Sequence, residues 1–240
     1  MDFKSLESKL NSEVDRIGIW WLIGAAAATI LLWQVQYGDY ILYPFSILAT
    51  WFHEMGHGLA AILLGGNFQQ LQISADGSGF AIHSGRLFLG PIGRALVAAA
   101  GPMGPPIAGA ILILASRNFK TASISLKILG GFLLFSVLIW VRSIFGIIAI
   151  LTLGLIILLI GLKASRWFQG FSIQFLGVQA CISTYHQLDY LFTPTAGPLG
   201  LSDTGQIQRQ LFLPYWFWGG VMAIASLLIL VQSLRIAYKQ

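Results

Sequence analysis

From Ser143 to Leu162 the chain runs without a charged side chain, in a stretch built almost wholly from Ile, Leu, Ala and Gly. About 20 helical residues span the hydrocarbon core of a bilayer, so a run of this length and apolarity reads as a membrane crossing. Ile17–Val35, Ile41–Leu64, Leu87–Ala115, Ile124–Val141 and Tyr215–Leu234 read the same way, with Trp167–Phe192 as a more polar companion. Composition agrees: 10% of the residues are charged, against roughly 25% in a soluble domain. The expected fold is an all-α polytopic membrane protein with six to seven transmembrane helices. It divides into a polar N-terminal tail (1–16), a single transmembrane domain (17–235) and a C-terminal tail (236–240). Ile17–Val35 is too long for a signal-peptide core and is expected to stay in the mature protein, with Trp20, Trp21 and Trp33 near its ends.

The net charge of +5 is scattered. It fits Lys and Arg anchored among lipid headgroups, so membrane lipid is an expected partner. Nucleic acid is not, because no basic cluster carries interleaved aromatics. Positive charges divide almost evenly between the two faces, so the positive-inside rule does not orient the chain. The single cysteine, Cys181, excludes an intrachain disulfide and a multi-cysteine zinc site.

The periodicity changes after Gly65-Gly66-Asn67, which has the chemistry of a helix stop. Phe68–Ser74 and Gly79–Ser84 read as short strands around Asp76-Gly77, which predicts a β-hairpin over 67–86. Its backbone needs water or protein against it, so it belongs at one face of the membrane, close to the end of the preceding helix. Further on, Gly101-Pro102-Met103-Gly104-Pro105-Pro106 predicts a kink or break within Leu87–Ala115, either as one bent span or as a helix following a re-entrant segment.

Chemistry concentrates in Trp51-Phe52-His53-Glu54-Met55-Gly56-His57-Gly58. His-Glu-x-x-His inside an apolar helix puts His53 and His57 on one face, able to grip one metal ion. Glu54, the only glutamate outside the N-terminal tail, is placed to handle the proton of a water activated there. Ionisable groups at membrane depth are costly and mark a functional site. Gly56 and Gly58 fit a place where another backbone comes close.

A catalytic zinc takes three protein ligands and keeps one position open. Outside the tail the chain offers Asp39, Asp76, Asp189, Asp203, His83, His186 and Cys181. Asp39 and Asp76 suit turns, Cys181 suits packing, and His83 suits either the site or a solvent-facing strand. His186 and Asp189, three apart, could orient a ligand as a pair. Asp203 could be a ligand or a helix N-cap. On the residues alone, Asp189 and Asp203 are equal candidates for the third ligand.

The sequence resembles the site-2 protease family of intramembrane zinc metallopeptidases, in its compact bacterial branch without a PDZ domain. The resemblance rests on His53-Glu54-Met55-Gly56-His57, Gly65-Gly66, Asp76-Gly77-Ser78-Gly79, Ala99-Ala100-Gly101-Pro102-Met103-Gly104-Pro105 and Ser202-Asp203-Thr204. It implies one Zn2+ held by His53, His57 and Asp203, with Asp189 in reserve and Glu54 catalytic. The Asn-x-x-Pro…Asp-Gly pattern of better-known members is missing here. The substrate implied is a transmembrane protein, cleaved in or near its membrane segment, in a bacterial cytoplasmic membrane or a related organellar one. By position, Phe68, Leu71 and Ile73 of the hairpin and Gly101 and Pro102 of the proline-rich run are expected to contact that substrate. The same polar residues would also suit an ion pathway in a transporter, or a structural metal site in a non-catalytic scaffold. Nothing like paired broken-helix repeats in the sequence supports the first, and a structural site has no use for Glu54.

Overall fold

A computed structural model describes residues 23, 24, 26–196 and 200–238. The polar tail and the start of the first expected span, with Trp20 and Trp21, lie outside the described residues. The described part of that span, α1, is helical over 26–32. There follow α2 (Gly38–Leu63), β1 (Asn67–Ile73), β2 (Gly79–Ser84), α3 (Pro91–Ala115), α4 (Phe119–Ile139), α5 (Ile144–Lys163), α6 (Arg166–His186), α7 (Leu188–Leu191), α8 (Asp203–Gln210) and α9 (Tyr215–Tyr238).

Among the described residues, four helices are long and apolar enough to cross a membrane: α3, α4, α5 and α9. α2 and α6 are not among them. The cause is visible in the sequence: His53, Glu54 and His57 dilute α2, and Gln169, Gln174 and Gln179 dilute α6.

α2 ends as its glycines require. The Gly65 N–H donates to Ile62 O at 3.0 Å and the Gly66 N–H to Ala61 O at 2.8 Å. Gly65 has φ +84°, so it supplies the left-handed residue of a Schellman motif. The chain then turns directly into β1, which pairs antiparallel with β2 and carries a bulge between Phe68 and Gln70. The turn closes through Ser74 N–H to Ser78 O at 2.8 Å, with Gly77 at φ +86°. Asp76 Oδ1 accepts from the Ser78 hydroxyl at 2.6 Å and from its N–H at 2.9 Å. These bonds hold the exposed Asp76 carboxyl below the usual aspartate range.

The far edge of β1 is already used. The Leu71 N–H donates to Trp140 O at 2.8 Å, and Leu71 O accepts from the Arg142 N–H at 2.9 Å. Ile73 exchanges hydrogen bonds with the Ser143 hydroxyl at 3.0 and 2.8 Å. The α4–α5 corner therefore covers β1. Opposed residues of an antiparallel pair aim their backbone groups the same way relative to the hairpin, both inward or both outward. Ala81 faces Leu71 and Gly79 faces Ile73, so both direct N–H and C=O outward, on the opposite edge.

α3 runs as one helix through Gly101–Pro106, which excludes the re-entrant alternative. Its glycines let neighbouring backbones come in close. A Cβ on Gly104 would strike Phe52 O of α2, and one on Gly109 would strike Gly177 O and Cys181 of α6. Small residues at such crossings are what membrane helices use to pack without a hydrophobic driving force. α3 thus lies at the centre, against α2, α6, α8 and α9, while α4 and α5 pair beside it. Trp51, buried at the seam, donates its indole N–H to Ser136 Oγ of α4 at 2.9 Å.

Candidate metal centre

His53 and His57 sit one turn apart on α2, with ring centroids 4.9 Å apart and planes at 72°. Asp203 approaches from the start of α8. Its Oδ2 lies 3.0 Å from His53 Nε2, and its Oδ1 lies 3.2 Å from His57 Nε2. One ligand atom from each residue falls within 4.8 Å of the others. Ligands about 2.0–2.2 Å from a tetrahedral zinc stand roughly 3.4 Å from one another, so small side-chain adjustments bring these three onto one ion and leave a fourth position open.

The hydrogen bonds say more than the spacing. His57 Nδ1 is 2.8 Å from Val97 O. A carbonyl only accepts, so Nδ1 carries the proton and Nε2 of the neutral ring is left with its lone pair. That lone pair faces a carboxylate oxygen, which is also an acceptor. Two acceptors this close need a positive charge between them, a proton or a metal ion. The donor set, two imidazoles and a carboxylate, is one that zinc takes.

Asp203 is free to serve because it is not the helix cap. Ser202 is the N-cap, its Oγ accepting from the Gly205 N–H at 3.1 Å. The Asp203 carboxylate therefore projects from the first helical position into the site, which corrects the N-cap alternative. Ser202 also donates to Thr193 O, and its hydroxyl meets that of Thr204 at 3.0 Å. Both are fully buried. Tyr190 completes the mount: its hydroxyl donates to Asp203 Oδ2 at 3.1 Å and accepts from the Asp203 N–H at 3.3 Å.

Asp189 is exposed on the short α7 and is not part of the cluster. The helix carrying His186 ends at Gln187, so His186 and Asp189 do not act as a pair. His186 instead stacks on Trp33 at 4.6 Å.

Glu54, buried beside the first histidine, lines a cavity of about 750 Å3 together with His53, His57 and Asp203. The hairpin residues Gly77–Ala81 and His83 form one wall, and Arg94, Gln206, Arg209 and Gln210 form another. Gly79 abuts Thr50 and Glu54, so a Cβ there would press on both. Gly101 of α3 lies over the ligating nitrogens, and a Cβ on it would collide with both imidazoles. Pro102 lies next to it, beside His53 and Tyr190.

Phe68, Leu71 and Ile73 are elsewhere. All three are buried in the core, with Phe68 stacked on Trp140 at 5.0 Å. The apolar face of β1 is the face that packs inward, and its outer edge is covered. A strand arriving from the cavity would meet β2.

Sequence reasoning also missed Tyr190, Val97, Arg94 and Arg209. Arg94 had a signal, as a lone cation in the apolar run 87–115. Nothing in the sequence marks Val97, which acts through its backbone.

A family model described as Peptidase M50B-like matches residues 22–233. Neither the search of curated proteins nor that of solved structures finds a match. The matched span takes in both histidines, Glu54 and Asp203, and among the described residues no PDZ domain is inserted into it. With this match over most of its length, the chain belongs to the Peptidase M50B-like, site-2 protease family of membrane metallopeptidases.

Proposed function

We propose that this chain is a zinc-dependent endopeptidase that cleaves membrane proteins in or near their transmembrane segments. The observation that carries the reading is the convergence of His53, His57 and Asp203 around one point, with Glu54 on the same cavity wall. Zinc held by those three residues would polarise the scissile carbonyl and make an adjacent water acidic enough to attack near neutral pH. Glu54 would take the proton of that water and hand it to the leaving amine. Asp203, held by Tyr190 and by the capped start of α8, would stay fixed while the proton moves.

A peptide bond inside a helix is shielded by its own hydrogen bonds, so the substrate must be extended where it is cut. The outward N–H and C=O of Gly79 and the outward C=O of Ala81 offer such a segment a strand partner, while the Ala81 N–H faces Glu54. Gly101 contributes by absence: only glycine leaves the metal side of the cavity open. We take α2 and α6 as further membrane crossings, giving six with α3, α4, α5 and α9 and seven with the first span. A bacterial cytoplasmic membrane or a related organellar one is the proposed location.

The deciding experiment compares wild type with Glu54→Gln on a reporter protein carrying a transmembrane segment, with zinc measured in both. Cleavage should fall by about 10²–10⁴-fold while zinc stays at one per chain. Full activity in Glu54→Gln would sink the mechanism. Zinc flux into liposomes without proteolysis would favour a transporter instead.

A further inference from the structure

The charged groups of the cavity are divided by sign. Glu54 and Asp203 lie deep, among the histidines, and the formal charges on the remaining wall are Arg94 and Arg209. The ion pairs among the described residues both belong to the metal centre, so neither arginine has a carboxylate partner among those residues. Arg94 is also held in place. Its Nε donates to Gln210 Oε1 at 2.8 Å, which draws the side chain across to α8 and leaves its two terminal nitrogens for another acceptor. An interfacial arginine serving lipid would reach outward to headgroups; this one bridges two elements of the cavity wall.

We propose that Arg94 and Arg209 form a subsite for an acidic substrate side chain lying about three residues from the scissile bond. Arg209 follows Asp203 by six residues on α8, a rise of about 9 Å along the helix. An extended strand advances about 3.3 Å per residue, so that distance equals about three substrate residues. Arg94 precedes Gly101, which lies over the ligating nitrogens, by seven residues, a rise of about 10 Å on α3. Two guanidinium groups lining the same cavity, with Arg94 bonded to the residue that follows Arg209, suit the planar carboxylate of Asp or Glu. The inference rests on the peptidase reading for the meaning of that distance, whereas binding of the acidic group does not need cleavage.

Two measurements separate the ideas. Zinc-loaded wild type is given a peptide library made from a digested membrane proteome, and its cleavage sites are mapped. Asp and Glu should be enriched at least threefold at one position two to four residues from the cut. The preference should vanish in Arg94→Gln/Arg209→Gln and turn towards Lys and Arg in Arg209→Glu. In parallel, Glu54→Gln is titrated with a fluorescent decapeptide carrying Asp, and with its Asn counterpart. Affinity for the Asp peptide should be three- to tenfold higher, and the difference should disappear when both arginines are changed. Equal binding of the two peptides overturns the subsite, as does an acidic preference that survives the arginine changes. Preferential binding that depends on anionic lipid in the micelle overturns it in favour of a headgroup site. Selective binding without any cleavage would remove the peptidase reading and leave the subsite standing.

Discussion

α2 and α3 on one side, and α4 and α5 on the other, are two pairs of neighbouring helices that use glycine at their contacts for different ends. In the α4–α5 pair, Gly130 receives Leu158, Gly154 receives Leu133 and Leu134, and Gly161 receives Leu126. The glycines there let leucines come in close, by the backbone of Leu158 at Gly130 and by side chains at Gly154 and Gly161, and the outer faces stay open: 28% of α5's apolar stretch is buried, against half of α3's. In the α2–α3 pair the glycines make room for polar groups. Gly56 meets Ala100 O, Gly104 meets Phe52 O, and Gly101 meets the two imidazoles. One pair is held by packing and by a hydrogen bond from the Ser123 hydroxyl to Gly161 O at 3.0 Å, and advertises itself by apolarity. The other gives up apolarity on α2, where His53, Glu54 and His57 lie, and α2 falls below the hydropathy expected of a crossing while α3 does not.

The sharpest break in this comparison comes at the ligands. Asp203→Ala should lose zinc almost completely in the purified protein, measured by metal analysis, whereas Asp189→Ala should keep one ion per chain. Zinc retained in Asp203→Ala would mean that another group completes the histidine pair of the α2–α3 seam. Next in size is Gly101→Ala. Its methyl collides with His53 and His57, so it should empty the site or cost about 1–3 kcal/mol by overpacking, read as lost zinc and a lower unfolding midpoint. Gly131→Ala in α4 is the matched control. A Cβ there meets nothing within 4 Å, so the change should leave zinc untouched and stability unchanged or raised by about 0.5–1 kcal/mol. Smallest among the losses is Trp51→Phe, which removes the indole bond to Ser136 that joins the two pairs. About 1 kcal/mol should go with that bond, seen as a modest shift in midpoint with activity retained.

Much of this was legible because it lives in side-chain type. The His53/Glu54/His57 turn, the Gly65-Gly66 stop and the Asp76-Gly77 hairpin turn each state their geometry in the residues themselves. Asp203 was legible only as one of two equal candidates until resemblance favoured it. The deciding fact, that Ser202 takes the cap and leaves the next carboxylate unoccupied, is a matter of one residue of register. The proline-rich run left two readings open because three prolines remove three N–H donors, and the structure selects the single continuous helix. The hairpin misled for a different reason. Apolar alternation in β1 marks the face that packs inward, whereas a docking edge is made of backbone N–H and C=O, which every residue carries. Val97 and Gly101 were hard to assign for the same reason, one acting through a carbonyl and the other through a missing Cβ.

The 150 residues between His53 and Asp203 also set an order in time. At roughly 5–20 residues per second of synthesis, the two histidines and Glu54 are made about seven to thirty seconds before the carboxylate that completes their set. During that interval the half-built centre has two imidazoles for a metal, a weak hold, and α8 is not there to close the cavity. On the proposed peptidase reading, a newborn chain sharing the insertion machinery with other nascent membrane proteins would therefore be harmless to them. Its competence to cut would arrive only when α8 docks against α3.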